Sequence, residues 1–297
     1  MRAERSSWSA RLLVGTVHSL GRLPWPLSRR LGSFLGTLAY GLSPRARRVA
    51  LINVGLCFPG RSARERRRLV RANFRLMGEA LFAVARVWWA SPAEIKTFVH
   101  LTGGEHLQAA TAAGRPVIFL VPHFLALDVG GMRIALEGHF MSMYRRPKWA
   151  AVELLFRRRE RFGSTLWPAE APLRQIVRAI RAGRAFYYLP DLDPGTADAA
   201  VAPFFGVPTP TLTALSRLAR LTDAVVLPSF TCRRRDGRGF ELVLRPPLAP
   251  FPTDDANADA RRMNATIEEL ICAMPEQYLW TYKRFKRYRP GGRSVYE

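Results

Sequence analysis

The chain has 297 residues and a formal net charge of +23, since it contains 46 Lys and Arg residues but only 23 Asp and Glu residues. Its hydrophobic share of 48% includes 17 Phe, 7 Trp and 8 Tyr, which excludes a disordered polycation and indicates a substantial core. The length and the lack of a Ser/Gly-rich linker favour one large domain. The charge alone fits nucleic acid, a membrane surface or an acidic protein as the partner.

Cysteine spacing gives no sign of a disulfide framework or a zinc site. Cys57, Cys232 and Cys272 lie far apart and form no C-x-x-C pair, so we expect buried free thiols. The N-terminus lacks a compact apolar core followed by a small-residue cleavage site. We therefore predict no secretory signal and a mature chain that starts near Met1.

The N-terminal stretch over residues 12–42 is apolar but is interrupted by arginines and prolines. Residues 31–43 are uncharged, but as a helix they would extend roughly 20 Å and fall short of the roughly 30 Å hydrocarbon core of a membrane. Flanking arginines, with Trp8 and Trp25 as interface anchors, favour a segment that lies in an anionic membrane surface. We predict a membrane-associating segment over residues 1–45 and one domain over residues 46–297. The alternative is a pair of amphipathic core helices.

Two capping-box patterns mark helix starts in the next part of the chain. Ser62 with Glu65 begins a long helix that reaches about Trp89, and Ser91 with Glu94 begins a short one. Short apolar strands then alternate with helices, which predicts an α/β fold with a mixed central sheet covered by helices. The predicted strands are 98–101, 115–122, 140–144, 185–189, 224–232 and 240–245, and the helices are 105–113, 126–137, 150–162, 173–182, 211–221 and 258–273.

The candidate catalytic pair lies just after the apolar run 117–121. His123 follows Pro122, at a strand end where catalytic groups of α/β folds gather, and Asp128 follows five residues later. A neutral imidazole can take a proton from a hydroxyl while a carboxylate on its other nitrogen fixes the tautomer. The sequence has no G-x-S-x-G motif, so it does not indicate a covalent serine intermediate. The H-x-x-x-x-D spacing by itself is weak evidence for a catalytic pair, because a structural histidine in the core can have an aspartate five residues later by chance.

Further motifs surround this pair in order along nearly the whole chain. They are NVGLCFP (53–59), GEHL (104–107), GRPVI (114–118), HF (123–124), YLPDLD (188–193), VAPFFGV (201–207), MN with IE (263–264 and 267–268), PEQYLW (275–280) and KRFK (283–286). In these motifs the chain resembles the late acyltransferases of lipid A biosynthesis, the lauroyl/myristoyl acyltransferase family. That family shares an H-x-x-x-x-(D/E) motif with the glycerolipid acyltransferases, whose fold we therefore expect here.

The resemblance implies an enzyme at the cytoplasmic face of the inner membrane. It would transfer a fatty acyl group from acyl carrier protein to a hydroxyl of a lipid A precursor of the Kdo-lipid IVA type, with no metal or redox cofactor. His123 matches the general base of the family and Asp128 its acidic partner, although many members have Glu at that place. An asparagine that the family often shows is absent, since Arg146 to Trp149 stand there.

The resemblance also implies charged residues that bind substrate or stabilise the transition state. Arg161 best matches an arginine that the family uses in its site, and Arg159 is the second choice because the spacing tolerates a slip. Asp191 matches a further site carboxylate, with Asp193 beside it. A guanidinium can stabilise the negative charge that develops on a thioester carbonyl or hold a phosphate. The structural alternative for Arg161 and Asp191 is an ion pair that braces two loops.

Basic clusters are the remaining feature that bears on partners. They lie at residues 64–68, 157–159, 233–235 and 283–289, and neither a zinc finger nor an RNP-like motif accompanies them. We therefore expect no nucleic acid, and we expect anionic lipid headgroups, the acceptor phosphates and acyl carrier protein as partners. Two rival functions remain: an acyltransferase acting on a lysophospholipid or glycolipid, and a non-catalytic basic membrane-binding protein.

Overall fold

A seven-stranded mixed sheet lies at the centre of the fold. The computed structural model describes residues 8–193, 195 and 199–297. The strands of the described residues are β1 (Val99–Thr102), β2 (Val117–Leu120), β3 (Phe140–Tyr144), β4 (Thr165–Pro168), β5 (Ala185–Tyr188), β6 (Ala200–Phe204), β7 (Val207–Thr211), β8 (Val225–Arg233) and β9 (Phe240–Leu244), of which β6 and β7 lie outside the central sheet. The sheet has the order β1-β9-β8-β2-β5-β3-β4, and neighbours are parallel except for β8 and β9. The predicted α/β fold with a mixed central sheet is confirmed.

Helices cover both faces of this sheet. They are α1 (Trp8–Gly21), α2 (Trp25–Leu42), α3 (Pro44–Cys57), α4 (Ala63–Val87), α5 (Pro92–Phe98), α6 (Gly104–Ala112), α7 (Leu127–Ile134), α8 (Ala150–Phe156), α9 (Leu173–Arg181), α10 (Ala214–Thr222) and α11 (Ala256–Ala273). Both capping boxes are confirmed, because Ser62 and Glu65 bond reciprocally at the start of α4 and Ser91 and Glu94 do so at the start of α5.

Strand β2 shows why the sheet must be covered on both sides. All of its residues are buried, as expected for an inner strand of a largely parallel sheet. Ile118 and Leu120 belong to a core cluster that includes residues of α9 and α11, whereas Val117 and Phe119 belong to a second cluster that includes residues of α7. Successive side chains of β2 thus point to opposite faces of the sheet, and each face is covered by its own helices.

Three glycines let α2 lie directly against α4. A Cβ added at Gly36 would come 2.1 Å from the carbonyl oxygen of Phe74, and one added at Gly78 would come 2.0 Å from that of Gly32. Because no side chain fits there, the two backbones touch. The opposite side of α2 exposes a row of apolar side chains: Leu27, Leu31, Phe34, Leu35, Leu38 and Leu42.

The helices of the described residues include none that is long and apolar enough to cross a membrane. The N-terminal stretch instead forms α1 and α2, and α2 packs one face on α4 while its apolar row stays exposed. The first part of the predicted membrane-associating segment, residues 1–7, lies outside the described residues. Membrane association and the domain boundary at residue 45 therefore stay predictions.

Some predicted elements differ from the structure. The helix predicted over 150–162 ends at Phe156 and continues as a short 3-10 turn over Arg157–Glu160, and the edge strand β4 after it was not predicted. Strands β6 and β7 were missed as well, because the prolines within them argue against a sheet interior. They form a separate two-stranded hairpin with a two-residue turn, where prolines are tolerated.

The cysteines follow the prediction in part. The structure contains free thiols at Cys57, Cys232 and Cys272. Cys57 and Cys232 are buried as expected, and burial raises the pKa of both thiols. Cys272 lies on an exposed part of α11, so the expectation of burial is wrong for this residue.

Candidate active site

His123 and Asp191 meet because two parallel strands end side by side. Leu120 of β2 pairs with Tyr188 of β5, and His123 and Asp191 each follow three residues later, after a proline. The His123 Nδ1 atom lies 2.6 Å from Asp191 Oδ1, and the backbone N–H of His123 donates to Oδ2 at 2.7 Å. Since a carboxylate only accepts, Nδ1 carries the proton of the neutral ring and Nε2 is left as the basic nitrogen.

The Asp191 carboxylate is fully buried, whereas the His123 side chain is 18% exposed. Burial alone raises the pKa of Asp191, but the attraction of the His123 imidazolium and the hydrogen bonds from the ring, from the His123 backbone and from the Tyr278 hydroxyl lower it below its usual value. Burial and the Asp191 charge together hold the pKa of Tyr278 well above its usual value. Asp191 is therefore an anion whose hydrogen bonds orient the imidazole.

The PEQYLW segment fixes the loop that carries His123. The backbone N–H of Leu125 donates to the Gln277 carbonyl at 2.8 Å, and the N–H of Leu279 donates to the His123 carbonyl at 3.0 Å. Phe124 and Tyr278 form a β-bridge between these two bonds. The segment thus supports the histidine backbone and supplies the Tyr278 hydroxyl to Asp191.

Two buried asparagines hold that segment in turn. Asn73 of α4 donates to the carbonyls of Glu276 and Tyr278 at 2.8 and 2.7 Å, and Asn53 of α3 donates to those of Trp280 and Tyr282 at 2.7 Å each. Sequence reasoning singled out neither asparagine as a site residue, nor the role of Tyr278. The signal available in the sequence was that Asn53 lies in the motif NVGLCFP and Tyr278 in the motif PEQYLW.

Asp128 takes a different partner from the predicted one. The carboxylate Oδ2 accepts from Nη2 of Arg159 at 2.7 Å, while Asp191 takes the Nδ1 side of His123. These contacts differ from the predicted pairing of Asp128 with the imidazole, and the catalytic role of Asp128 stays a prediction. The physical reason for the different pairing is that Asp128 lies in the first turn of α7, opposite the turn that carries Arg159, whereas the register of β2 and β5 brings Asp191 directly beside the ring.

Arg159 and Arg161 point to different places. Arg159 lines the cavity that His123 borders, and its guanidinium lies 4.0 Å from the centre of the Phe156 ring. Arg161 instead donates through Nη1 to the carbonyls of Trp88 and Ala90, at 2.6 and 3.2 Å. Burial and the nearby Arg158 lower the pKa of Arg161.

These contacts differ from the expectation that Arg161 is the arginine beside the reacting groups, and the site roles of both arginines stay predictions. Arg161 lies outside the residues that line the cavity, and Arg159, the second choice, is among them. Because the 3-10 turn over Arg157–Glu160 ends between the two arginines, their side chains leave the chain in different directions. Arg161 braces the turn after α4 through carbonyl oxygens, not through the ion pair of the structural alternative.

Asp193 lies close to this region but makes contacts of its own. Its Oδ1 accepts from the backbone N–H of Gly195 at 3.0 Å and lies 3.8 Å from Nε of Arg287. It is not among the residues that line the cavity, although its neighbour Leu192 is. The structure thus joins Asp193 to the basic cluster at residues 283–289 and not to His123.

A cavity of about 470 Å³ opens at His123. Asp128, Arg145 and Arg159 contribute charged side chains to its lining, and His123 contributes an imidazole. Most of the other lining side chains are apolar: Leu127, Met132, Phe140, Met143, Phe156, Leu166, Leu189 and Leu192. A long apolar chain fits such a lining, and a base in the cavity wall can act on a group held beside that chain.

Among the described residues, no group of three or more His, Cys, Asp and Glu side chains is arranged to hold a metal ion. The expectation that the reaction needs no metal or redox cofactor stays a prediction. The site as it stands offers a base with an oriented ring, a guanidinium held by a carboxylate, and an apolar chamber.

Comparison with known proteins identifies the family to which this site belongs. Residues 3–287 match the model of the bacterial lipid A biosynthesis acyltransferases. Three enzymes of Escherichia coli K12 are similar over nearly the full length. The lipid A biosynthesis lauroyltransferase is 31% identical over 96% of this chain and 93% of its own, the palmitoleoyltransferase 32% over 97% and 94%, and the myristoyltransferase 33% over 98% and 90%.

A solved structure of the 1-acyl-sn-glycerophosphate acyltransferase PlsC from Thermotoga maritima covers 82% of this chain and 96% of its own, with 16% identity and a TM-score of 0.38. So distant a likeness decides nothing about this chain. The family match, in contrast, spans both ends of the sheet and every element of the site. The chain belongs to the bacterial lipid A biosynthesis acyltransferases.

Proposed function

We propose that the protein transfers a fatty acyl group from acyl carrier protein to a hydroxyl of a lipid A precursor of the Kdo-lipid IVA type. The observation that carries the proposal is the His123–Asp191 pair, whose histidine lines a largely apolar cavity, in a chain of the lipid A acyltransferase family. The cavity holds the acyl chain of the donor, and the hydroxyl of the acceptor approaches His123 from the open side.

The proton path follows from the ring geometry. With Nδ1 donating to Asp191, Nε2 takes the proton of the acceptor hydroxyl while its oxygen attacks the thioester carbonyl. The new C–O bond forms, the C–S bond breaks, and the thiolate of the carrier leaves with the proton from the imidazolium. Asp191 stays ionised and stabilises the imidazolium that forms between these steps.

Arg159 supplies the positive charge on the cavity side. Among the described residues, its guanidinium forms a hydrogen bond and ion pair with the carboxylate of Asp128. The other guanidinium nitrogens are then available to the oxygen of the thioester carbonyl as it gains charge, or to a phosphate of either substrate. In this proposal Asp128 positions Arg159, and the tautomer of His123 depends on Asp191.

The proposed place of action is the cytoplasmic face of the inner membrane. Both proposed substrates carry negative charge, and the acceptor is a lipid. The exposed apolar row of α2, in which Phe34 is 65% and Leu42 is 73% exposed, supports association with the membrane surface. The net charge of +23 favours an anionic leaflet.

A donor and acceptor matrix tests the proposal. Purified protein is incubated with acyl carrier protein or coenzyme A charged with the same labelled fatty acid, and with a tetra-acylated lipid A precursor or a lysophospholipid. We expect product from the carrier-bound donor and the lipid A precursor. Acylation of the lysophospholipid alone would establish the rival acyltransferase, and no product in any combination would leave the non-catalytic rival.

A further inference from the structure

A second cavity, separate from the one at His123, lies between α2 and α4. Its volume is about 580 Å³. One wall consists of five arginines of α4, namely Arg64, Arg67, Arg68, Arg71 and Arg75. The other wall carries Thr37 and Tyr40 of α2, and the cavity lining includes no acidic residue. We call these seven residues the arginine groove.

The positive charge of the groove is only partly balanced: Glu65 lies near Arg68 and Glu79 near Arg75, in a neighbouring cavity that these two arginines also line. In the described part of the chain, no carboxylate lies within salt-bridge distance of Arg64, Arg67 or Arg71. The Arg71 guanidinium instead lies 5.4 Å from the centre of the Tyr40 ring. Each of the five arginines has another of them three or four residues away on α4, so like charges repel along this face of the helix.

The position on α4 adds to this cost. Arg64 lies in its first turn, where the positive end of the helix dipole disfavours cations. An anion held in the groove would remove both the mutual repulsion and the unfavourable dipole interaction. Guanidinium groups bind phosphate oxygens in pairs, so a phosphate is the anion that such a wall fits best.

The apolar row of α2 indicates which phosphate. Thr37 is exposed, and in helical projection it lies between Tyr40, which is nearer the side of α2 packed on α4, and Phe34 and Leu38 of the apolar row. A molecule that presents a phosphate to the groove and an acyl chain to the row beside it would contact both. A phospholipid in a bilayer surface has this arrangement.

We infer that the arginine groove binds the phosphate of an anionic phospholipid and so seats the protein on the membrane through α2 and α4. This inference rests on the membrane association proposed above and not on the acyl-transfer reaction. The apolar row supplies attachment to any bilayer, and the groove supplies the preference for an anionic one.

Vesicle binding with two matched triple variants tests the inference. The first replaces Arg64, Arg67 and Arg71 with Gln. The control replaces three arginines that line a different groove, between α9 and α10, with Gln: Arg174, Arg178 and Arg217. Both variants lose three positive charges, so they differ in the place of the charge and not in its amount. Thermal unfolding and acyl transfer in detergent confirm that each is folded.

Partitioning is measured onto vesicles of phosphatidylcholine alone and of phosphatidylcholine with a minority of phosphatidylglycerol. A basic residue at an anionic surface contributes about fivefold, so the groove variant is expected to lose about 100-fold in binding to the anionic vesicles. Its binding to the neutral vesicles stays unchanged, and the control variant loses less than about tenfold. Inorganic phosphate at constant ionic strength leaves the binding of the unmodified protein unchanged.

Three outcomes would overturn the inference. Equal losses in the two variants would assign the binding to net charge, and release of the vesicles by inorganic phosphate would make the groove a site for the free ion. Absence of the unmodified protein from both vesicle types would remove the membrane association itself. Acyl transfer in detergent, read in parallel, shows separately whether the reaction proposal stands.

Discussion

Replacement of Asp191 by Asn is the sharpest perturbation of the site, because it changes one atom and the charge but little of the shape. The carboxylate accepts from Nδ1 of His123 at 2.6 Å and from the His123 backbone N–H at 2.7 Å. An amide has one oxygen for these two donors. If the oxygen keeps the backbone N–H, the NH₂ group faces Nδ1, and the ring must move its proton to Nε2.

That tautomer has no basic nitrogen facing the acceptor hydroxyl. We expect kcat to fall by about 10³- to 10⁴-fold, which corresponds to about 4–5.5 kcal/mol of transition-state stabilisation. KM should change little, because the Asp191 side chain is fully buried and does not line the cavity. The assay is the initial rate of acyl transfer from labelled acyl carrier protein at several acceptor concentrations.

Asp128→Asn is the matched control, since it makes the same chemical change at the other acidic residue near His123. It weakens the contact between Asp128 and Arg159 but leaves the Asp191 pair intact. We expect it to lower kcat by less than about 100-fold. A loss in Asp128→Asn equal to or greater than that in Asp191→Asn would refute the reasoning and restore Asp128 as the orienting group.

Three other predictions concern stability and specificity. Gly36→Ala forces the α2 backbone away from Phe74 and should lower the free energy of unfolding by about 1–3 kcal/mol, whereas Gly41→Ala, with no atom within 4 Å of the added Cβ, should raise it slightly; urea unfolding compares them. Gly131→Val places two methyl groups in the cavity at His123 and should shift the donor preference to shorter acyl chains, measured by competition between carrier-bound acyl groups of different length; an unchanged preference would place the acyl chain elsewhere. The pKa of Asp191 is lowered in the folded state, so its ionised form stabilises the fold above the unfolded pKa of about 3.9, and this contribution is lost as pH falls through the lower folded pKa. The difference in unfolding free energy between the protein and Asp191→Asn should therefore shrink below about pH 4. A difference that stays constant with pH would contradict the lowered pKa.

The part of the fold that follows local rules was predictable from the sequence. The capping boxes at Ser62 and Ser91 gave the starts of α4 and α5 correctly, because these bonds join residues three apart. Apart from the edge strand β4, the strands of the seven-stranded sheet were recognisable as apolar runs. The hairpin of β6 and β7 did not, since its prolines resemble those of a loop.

The partner of His123 shows why the site was harder to predict from the sequence than the fold. Asp128 is close in sequence, whereas Asp191 is 68 residues away and comes close only through the parallel pairing of β2 with β5. The signal was present, because Val-Pro-His and Leu-Pro-Asp each end an apolar strand. It becomes readable only once those two strands are known to be neighbours in register.

Arg159 and Arg161 show a second limit of the sequence. Both lie in a run of arginines, and a motif match that tolerates a slip cannot choose between them. The choice depends on where α8 gives way to the 3-10 turn, which turns one side chain to the cavity and the other to the carbonyls of Trp88 and Ala90. Helix ends are uncertain by one or two residues, which is the distance between Arg159 and Arg161, so a sequence pattern does not decide between them.

The most direct test of the account is the mass of the lipid A precursor after incubation with acyl carrier protein bearing one defined fatty acid, with the protein and with its His123→Ala variant at equal folded concentration. The account predicts that the protein adds the mass of one acyl chain to the acceptor. In the variant this product should form at least about 10²-fold more slowly, because the base has been removed. Equal rates for the two proteins, or an acceptor of unchanged mass with both, would contradict the claim that His123 catalyses acyl transfer to lipid A.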